Sequence, residues 1–296
     1  MIFRFVNSIH MGHWSKVPTH PFPRPTIARH FLRMGKLVSL IIGVSVSALA
    51  SHASAFDWTQ TEFQSNFGVI DTPSFAGGGD NTTVVFTIEH SNGWAYGDNY
   101  FFIDLAESTT PFYNNWDIYA EYYANFSLGK ITGEAVGFGI VNDVGLIAGV
   151  NWDLDAKVLR YLPGVRFQLT LPGFDFANLD FTAYIDDNAG VAKGGAPKQG
   201  DSFMVDFNWG YPFTIGRNDF AINGHLEYIN KRRDSFGNRL ESHVLNQEQI
   251  RWDIGKAMNG TPRKVFIGVE LSIWFNKLGD RKTNEFAPQA LFAYRF

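Results

Sequence analysis

Apolar and polar residues alternate with a period of two along most of the chain. In the stretch 265–275, Val265, Ile267, Val269, Leu271, Ile273 and Phe275 fall on one side. Phe266, Gly268, Glu270, Ser272 and Trp274 fall on the other. Such alternation is the mark of a β-strand with two different faces. It recurs at 116–126, where Trp116, Ile118, Ala120, Tyr122, Ala124 and Phe126 oppose Asp117, Tyr119, Glu121, Tyr123 and Asn125. At 165–171 Val165, Phe167, Leu169 and Leu171 oppose Arg166, Gln168 and Thr170. Similar stretches lie at 179–186 and 203–211. Twelve strands are expected, roughly over 57–68, 82–91, 98–107, 116–127, 144–155, 164–172, 178–187, 202–211, 218–230, 243–255, 263–275 and 285–296.

These stretches run about ten to twelve residues, longer than the usual strand of five or six. Their polar sides are charged and their apolar sides are rich in aromatics. A strand that crosses a bilayer needs about 9–11 residues, apolar outward and polar inward, with aromatic girdles at both interfaces. Each backbone group must also be bonded within the sheet, so the sheet must close. The pattern predicts an all-β fold, a closed antiparallel transmembrane barrel of the outer-membrane type. An even strand count puts both ends of the barrel on the periplasmic side. The segments 91–97, 172–176 and 211–217 then read as periplasmic turns. The longer stretches 71–81, 188–200 and 231–241, rich in Gly or charge, read as outer loops. The connection 128–143 is long for the periplasmic side on which it falls.

The N-terminal part has another pattern. From Met34, Lys36 precedes a run of apolar and small residues, and Ala53-Ser54-Ala55 offers a small-x-small cleavage site. This reads as a signal peptide over 34–55, preceded by a disordered leader or mis-called start at 1–33. A single barrel domain over 56–296 follows, exported to the outer membrane of a Gram-negative cell. The whole chain carries a formal charge of −4. Its first 55 residues hold Arg4, Lys16, Arg24, Arg29, Arg33 and Lys36 and no Asp or Glu, so the rest is more acidic still. An acidic exported protein is not a nucleic-acid binder by bulk charge. The absence of Cys suits export without a disulfide framework.

The final stretch, "EFAPQALFAYRF", places Phe296, Tyr294, Phe292 and Ala290 toward lipid. Arg295, Ala293, Leu291 and Gln289 then face the lumen. A last strand ending on an aromatic resembles the insertion signal of bacterial outer-membrane barrels, which implies recognition of Phe296 by the barrel-assembly machinery.

The segment "NFSLGKITGEAVGFGIVNDV" resembles the nucleoside-specific channel-forming outer-membrane family, the Tsx/OmpK group. Phe126, Ser127, Leu128, Lys130 and Thr132 stand in its first block. Phe138, Gly139 and Asp143 stand in its second, with Asn142 where the family usually has Lys. "GDNYFFIDLAE" is similar to a further family strand and places Asp98, Tyr100 and Asp104. Glu121 keeps its spacing of six residues before Ser127, and Phe67-Gly68 resembles the family's Phe-Gly at the end of the first strand. The resemblance implies a monomeric twelve-stranded barrel that passes nucleosides through a narrow lumen. It also implies reception of phage or colicin as a further role.

A nucleoside has a flat π-face and a ribose with vicinal hydroxyls. A selective lumen should offer aromatic faces, each contributing about 1–3 kcal/mol per stacked base, beside carboxylate or amide acceptors. Binding must stay weak enough for release. The alternation places Tyr100, Phe102 and Asp104 on one inward face and Tyr119, Glu121 and Tyr123 on the next. Phe67 is expected to start a stacking ladder at the outer end of the first strand. Across the barrel Gln247, Gln249, Arg251 and Asp253 share a face, as do Phe266, Glu270 and Trp274. Lumen charges of this kind also arise from structural pairing alone, which leaves a general small-solute porin open.

Two other classes were weighed. An outer-membrane hydrolase would need a Ser activated by a His. Past residue 55 only His90, His225 and His243 remain, and none is placed for that chemistry. A receptor barrel would use its loops, with 231–241 the strongest candidate. No Cys or His cluster has metal-ligand spacing and no phosphate loop is present. No cofactor, metal or catalytic residue is expected.

Overall fold

The computed structural model describes residues 56–109 and 116–296. The leader and signal peptide read over 1–55 lie outside the described residues.

Nine strands follow one another up and down: β1 (Trp58–Asp71), β2 (Asp80–Trp94), β3 (Gly97–Ser108), β4 (Trp116–Ser127), β5 (Val141–Asp153), β6 (Val158–Leu169), β7 (Phe176–Asp186), β8 (Ser202–Ile215) and β9 (Asn218–Ile229). A small hairpin of β10 (Arg232–Arg233) and β11 (Arg239–Leu240) forms a separate sheet. β12 (His243–Asp253), β13 (Val265–Phe275) and β14 (Glu285–Arg295) complete the wall. β12 pairs with β9, and β14 closes antiparallel on β1 from Glu62↔Arg295 to Gly68↔Gln289. The result is a closed twelve-stranded antiparallel barrel, as the alternation predicts.

The period of two sets the faces. In β14 Glu285, Ala287, Gln289, Leu291 and Ala293 are buried, while Phe286, Phe292 and Tyr294 are exposed. In β1 Glu62, Gln64 and Asn66 turn inward and Phe63, Phe67 and Val69 turn outward. The exposed side is therefore the apolar one, the reverse of a water-soluble sandwich, and the charges lie inside. Lipid is the solvent that stabilises this inversion, and closure leaves no unpaired edge.

An aromatic belt runs around part of the rim that holds the barrel's ends. Phe174 packs on Tyr211 at 5.1 Å, Tyr211 on Phe213 at 6.2 Å, Phe213 on Phe220 at 5.4 Å and Phe220 on Trp252 at 6.5 Å between ring centroids. Such rings suit the headgroup level, where one edge is wet and the face is not.

The connection 128–143 sits at that same rim and is ordered by its own polar groups. The Ser127 hydroxyl caps a short helix, Leu128–Thr132, by accepting from the Lys130 amide at 3.0 Å. It also donates to Asp143, whose other carboxylate oxygen accepts from the Gly129 amide at 2.9 Å. Lys130 Nζ donates to the Trp94 and Gly97 carbonyls at 2.8 and 3.2 Å. Ser127, Lys130 and Asp143, which carry the resemblance, thus fasten this connection to β2 and β3.

Two outward residues of β12, Asn246 and Glu248, run against the pattern. Glu248 stands at the middle of β12, bonded by the Asn246 amide at 3.2 Å and flanked across the ladder by Gly224 and Leu271. A charge facing lipid is most costly at mid-span. Glu248→Leu is expected to stabilise the barrel by about 1 kcal/mol, read as a higher urea midpoint. A lower midpoint would mean that the bond from Asn246 outweighs the cost of facing lipid.

Candidate functional site

The inward faces of β3, β4 and β5 bring an aromatic strip and a row of acceptors together. Register does most of this work. Tyr100 lies opposite Tyr123, Phe102 opposite Glu121 and Asp104 opposite Tyr119. Tyr119 in turn lies opposite Asp153, Glu121 opposite Asn151 and Tyr123 opposite Gly149. The Tyr100 and Phe102 rings are 6.1 Å apart between centroids, and Phe102 and Tyr119 are 6.0 Å apart. Gly149 makes room for this wall, since a Cβ there would come within 2.7 Å of the Tyr123 ring.

Glu89 and Glu121 are held by neutral donors. The Tyr119 hydroxyl donates to Glu121, and Asn151 Nδ2 donates to the same carboxylate at 2.9 Å. The Tyr123 hydroxyl donates to Asn151 Oδ1 at 3.1 Å. Thr87 Oγ1 donates to Asp104 at 2.6 Å. Glu89 on β2 accepts from Gln64 Nε2 at 3.1 Å and from the Tyr100 hydroxyl at 3.4 Å. Glu89 and Glu121 keep lone pairs beyond those used here, so the wall joins π-faces to fixed acceptors.

The opposite wall is a polar network. Glu270 on β13 accepts from Gln247, Gln249 and Gln289 at 2.8, 2.6 and 3.1 Å. Arg251 on β12 reaches over β13 and β14 to Glu62 on β1 at 2.7 Å, and Arg295 meets the same carboxylate at 3.0 Å. Gln249 Nε2 crosses likewise to Gln64 at 2.8 Å. A second bridge spans the other side, where Arg166 pairs with Asp180 at 2.7 Å and with Asp98 at 3.2 Å.

Of the residues expected to line the lumen, Tyr100, Phe102, Asp104, Tyr119, Glu121, Tyr123, Arg251, Glu270 and Trp274 all lie on inward positions. Only the first six form one strip. Arg251 is engaged in the cross-lumen bridge. Trp274 packs instead with Leu245 and Leu278 near the loop-bearing rim, its ring 6.0 Å from that of His243. Phe67 is a correction. It is 55 % exposed on the outer face, between inward Asn66 and Gly68, because the period of β1 turns it to lipid. It starts no stacking ladder.

Glu62, Gln64, Glu89, Thr87 and Asn151 were not singled out from the sequence. Glu89 had a readable signal, an acid two places from Thr87 on one side of β2. The run Val84-Val85-Phe86 beside it hides the alternation. The three histidines are engaged elsewhere. His90 bonds the Thr61 hydroxyl at 2.8 Å, His225 bonds Asp206 at 3.2 Å and His243 bonds the Glu241 carbonyl at 3.3 Å.

No protein-family model matches the chain, and no curated protein matches it by sequence. Three solved structures that the chain is similar to are of low identity. The KdgM porin in complex with disordered oligogalacturonate is 11 % identical at a TM-score of 0.41, over 81 % of this chain and 99 % of that one. The translocator domain of the autotransporter NalP from Neisseria meningitidis is 7 % identical at 0.42, over 90 % and 98 %. A porin refined at 1.8 Å resolution is 7 % identical at 0.31, over 81 % and 100 %. Likeness at this level leaves the question of solute to the lumen itself.

Proposed function

We propose that the protein is an outer-membrane channel through which nucleosides diffuse passively. The observation that carries this reading is the inward strip of Tyr100, Phe102 and Tyr119 beside Asp104 and Glu121. A base can lie on a ring while its ribose hydroxyls donate to a neighbouring carboxylate. Stacking supplies about 1–3 kcal/mol per base and accepts any base, which keeps binding weak enough for release. A twelve-stranded wall lies between the eight strands that side chains fill and the sixteen or more of wide aqueous porins. The resemblance of 98–104 and 126–143 to the Tsx/OmpK group agrees with this reading. Insertion through the assembly machinery by way of Phe296, function as a monomer and reception of phage or colicin belong to the same proposal.

The second reading is a porin with no preference among small solutes. Here the cross-lumen bridges at Glu62 and Asp98 would only neutralise and stiffen the interior. Liposome swelling separates the two. A selective channel should admit adenosine and thymidine faster than glucose, although they are larger. Rates that follow size alone would favour the unselective porin.

A further inference from the structure

The lumen carries an uneven balance of charge. The guanidiniums that the barrel strands point inward are each paired with a carboxylate. Arg251 and Arg295 share Glu62, Arg166 is held between Asp180 and Asp98, and Arg160 pairs with Asp186 at 2.6 Å. Several inward carboxylates have no such partner. Among the described residues Glu89, Glu121, Glu227 and Glu270 form no salt bridge with Arg or Lys. The hydrogen bonds given to Glu89, Glu121 and Glu270 come from amides and phenols, none of which carries a positive charge. These four acids stand on β2, β4, β9 and β13, so they are spread around the wall rather than gathered at one point.

A second observation points the same way. Gln289 gives its amide nitrogen to Glu270 at 3.1 Å, which leaves its buried carbonyl oxygen without a partner. The carbonyl oxygen of inward Asn66, on the adjoining strand, is also buried without one. Both residues are 3 % exposed. The unmet need along the β13–β14–β1 wall is for a donor or a cation. At the loop-bearing rim Arg232 lies over the Tyr184 ring at 5.0 Å and bonds Gln199 at 2.7 Å. One guanidinium at the mouth does not offset carboxylates spread along the interior. Rings of acidic side chains select cations in channels, and the faces of Tyr100, Phe102 and Tyr119 attract ammonium groups electrostatically.

We propose that the lumen is cation-selective and that the charged solutes it passes are small organic ammonium ions, while phosphorylated and carboxylated solutes are turned away. This rests on the channel reading above. It adds that neutral nucleosides pass and nucleotides do not.

The test is the reversal potential of the purified full-length protein in a planar bilayer under a KCl gradient, repeated with choline chloride. The expected result is permeability to K+ and to choline at least about threefold above chloride. The variant Glu89→Gln/Glu121→Gln/Glu270→Gln, which keeps side-chain shape and forfeits an acceptor only at Glu270, should bring that ratio at least halfway to one. A conducting pore with a wild-type ratio at or below one would overturn this proposal alone. A preserved ratio in a folded, conducting triple variant would overturn the role given to these carboxylates. The absence of any conductance would overturn the channel reading itself, and this inference with it.

Discussion

Glu62→Ala is expected to destabilise the barrel by about 3 kcal/mol, the largest loss from any single lumen substitution. Glu62 is 1 % exposed and is the shared counter-charge of Arg251 and Arg295. Arg251 reaches it from β12, across β13 and β14, while Arg295 reaches it from β14, its partner at the closing seam. The contact therefore joins three strands across the width of four, including the pair on which closure depends. Truncating the acid leaves two guanidiniums facing each other without compensation. Breaking a buried pair from one side is costly for that reason, even where the intact pair adds little. Arg251→Ala should cost less, because Glu62 keeps Arg295 and Gln64. Glu62→Gln should fall between the two. Urea midpoints of the folded barrel in lipid would check the order. A Glu62→Ala midpoint equal to wild type would show that the bridge does not hold the seam.

The second large effect is expected on solute affinity. Phe102 lies between Tyr100 and Tyr119, so Phe102→Ala should interrupt the strip at its centre. The loss of one stacking face corresponds to about 1–3 kcal/mol, or about a 5- to 150-fold weaker block of current by adenosine. Tyr119→Phe should act differently. It keeps the ring and removes the hydroxyl that donates to Glu121. The carboxylate then swings more freely and discrimination between ribose and deoxyribose should narrow, with stacking little changed. Concentration–block curves for adenosine and deoxyadenosine would separate these outcomes. Equal effects of both variants on both solutes would mean that the strip packs the wall and does not bind.

The barrel was legible because period two is a strong signal when one face meets lipid and the other meets polar groups. β4 was read at its observed bounds, 116–127, and its faces were read correctly. β6 was read as 164–172 but runs Val158–Leu169. Pro163-Gly164 looks like a strand break in sequence. In the barrel Pro163 points outward, and Gly164 lets β7 approach so closely that a Cβ would fall 2.1 Å from the Phe181 carbonyl oxygen. The β6–β7 ladder is interrupted there for two residues on each strand, between Tyr161↔Ile185 and Gly164↔Thr182, with no change of register. Phe67 was placed inward by resemblance to a family motif rather than by the period of its own strand, which turns it to lipid.

The bridges across the lumen were the least legible feature. Arg251 and Glu62 lie 189 residues apart, and Gln249 and Gln64 lie 185 apart. Their meeting depends on how far the sheet is sheared when β14 closes on β1, and no local pattern encodes that. The aromatic strip was easier, because β3 and β4 are adjacent in sequence and pair along nearly their whole length, so the alternation of each strand sets its inward residues side by side.

The most direct test is single-channel current through the purified protein in a planar bilayer, titrated with adenosine, thymidine and glucose. The account predicts saturable block by both nucleosides with half-effect at about 1 mM or lower, and no block by glucose at the same concentration. A steady current unaffected by either nucleoside, or reduced equally by glucose, would contradict it.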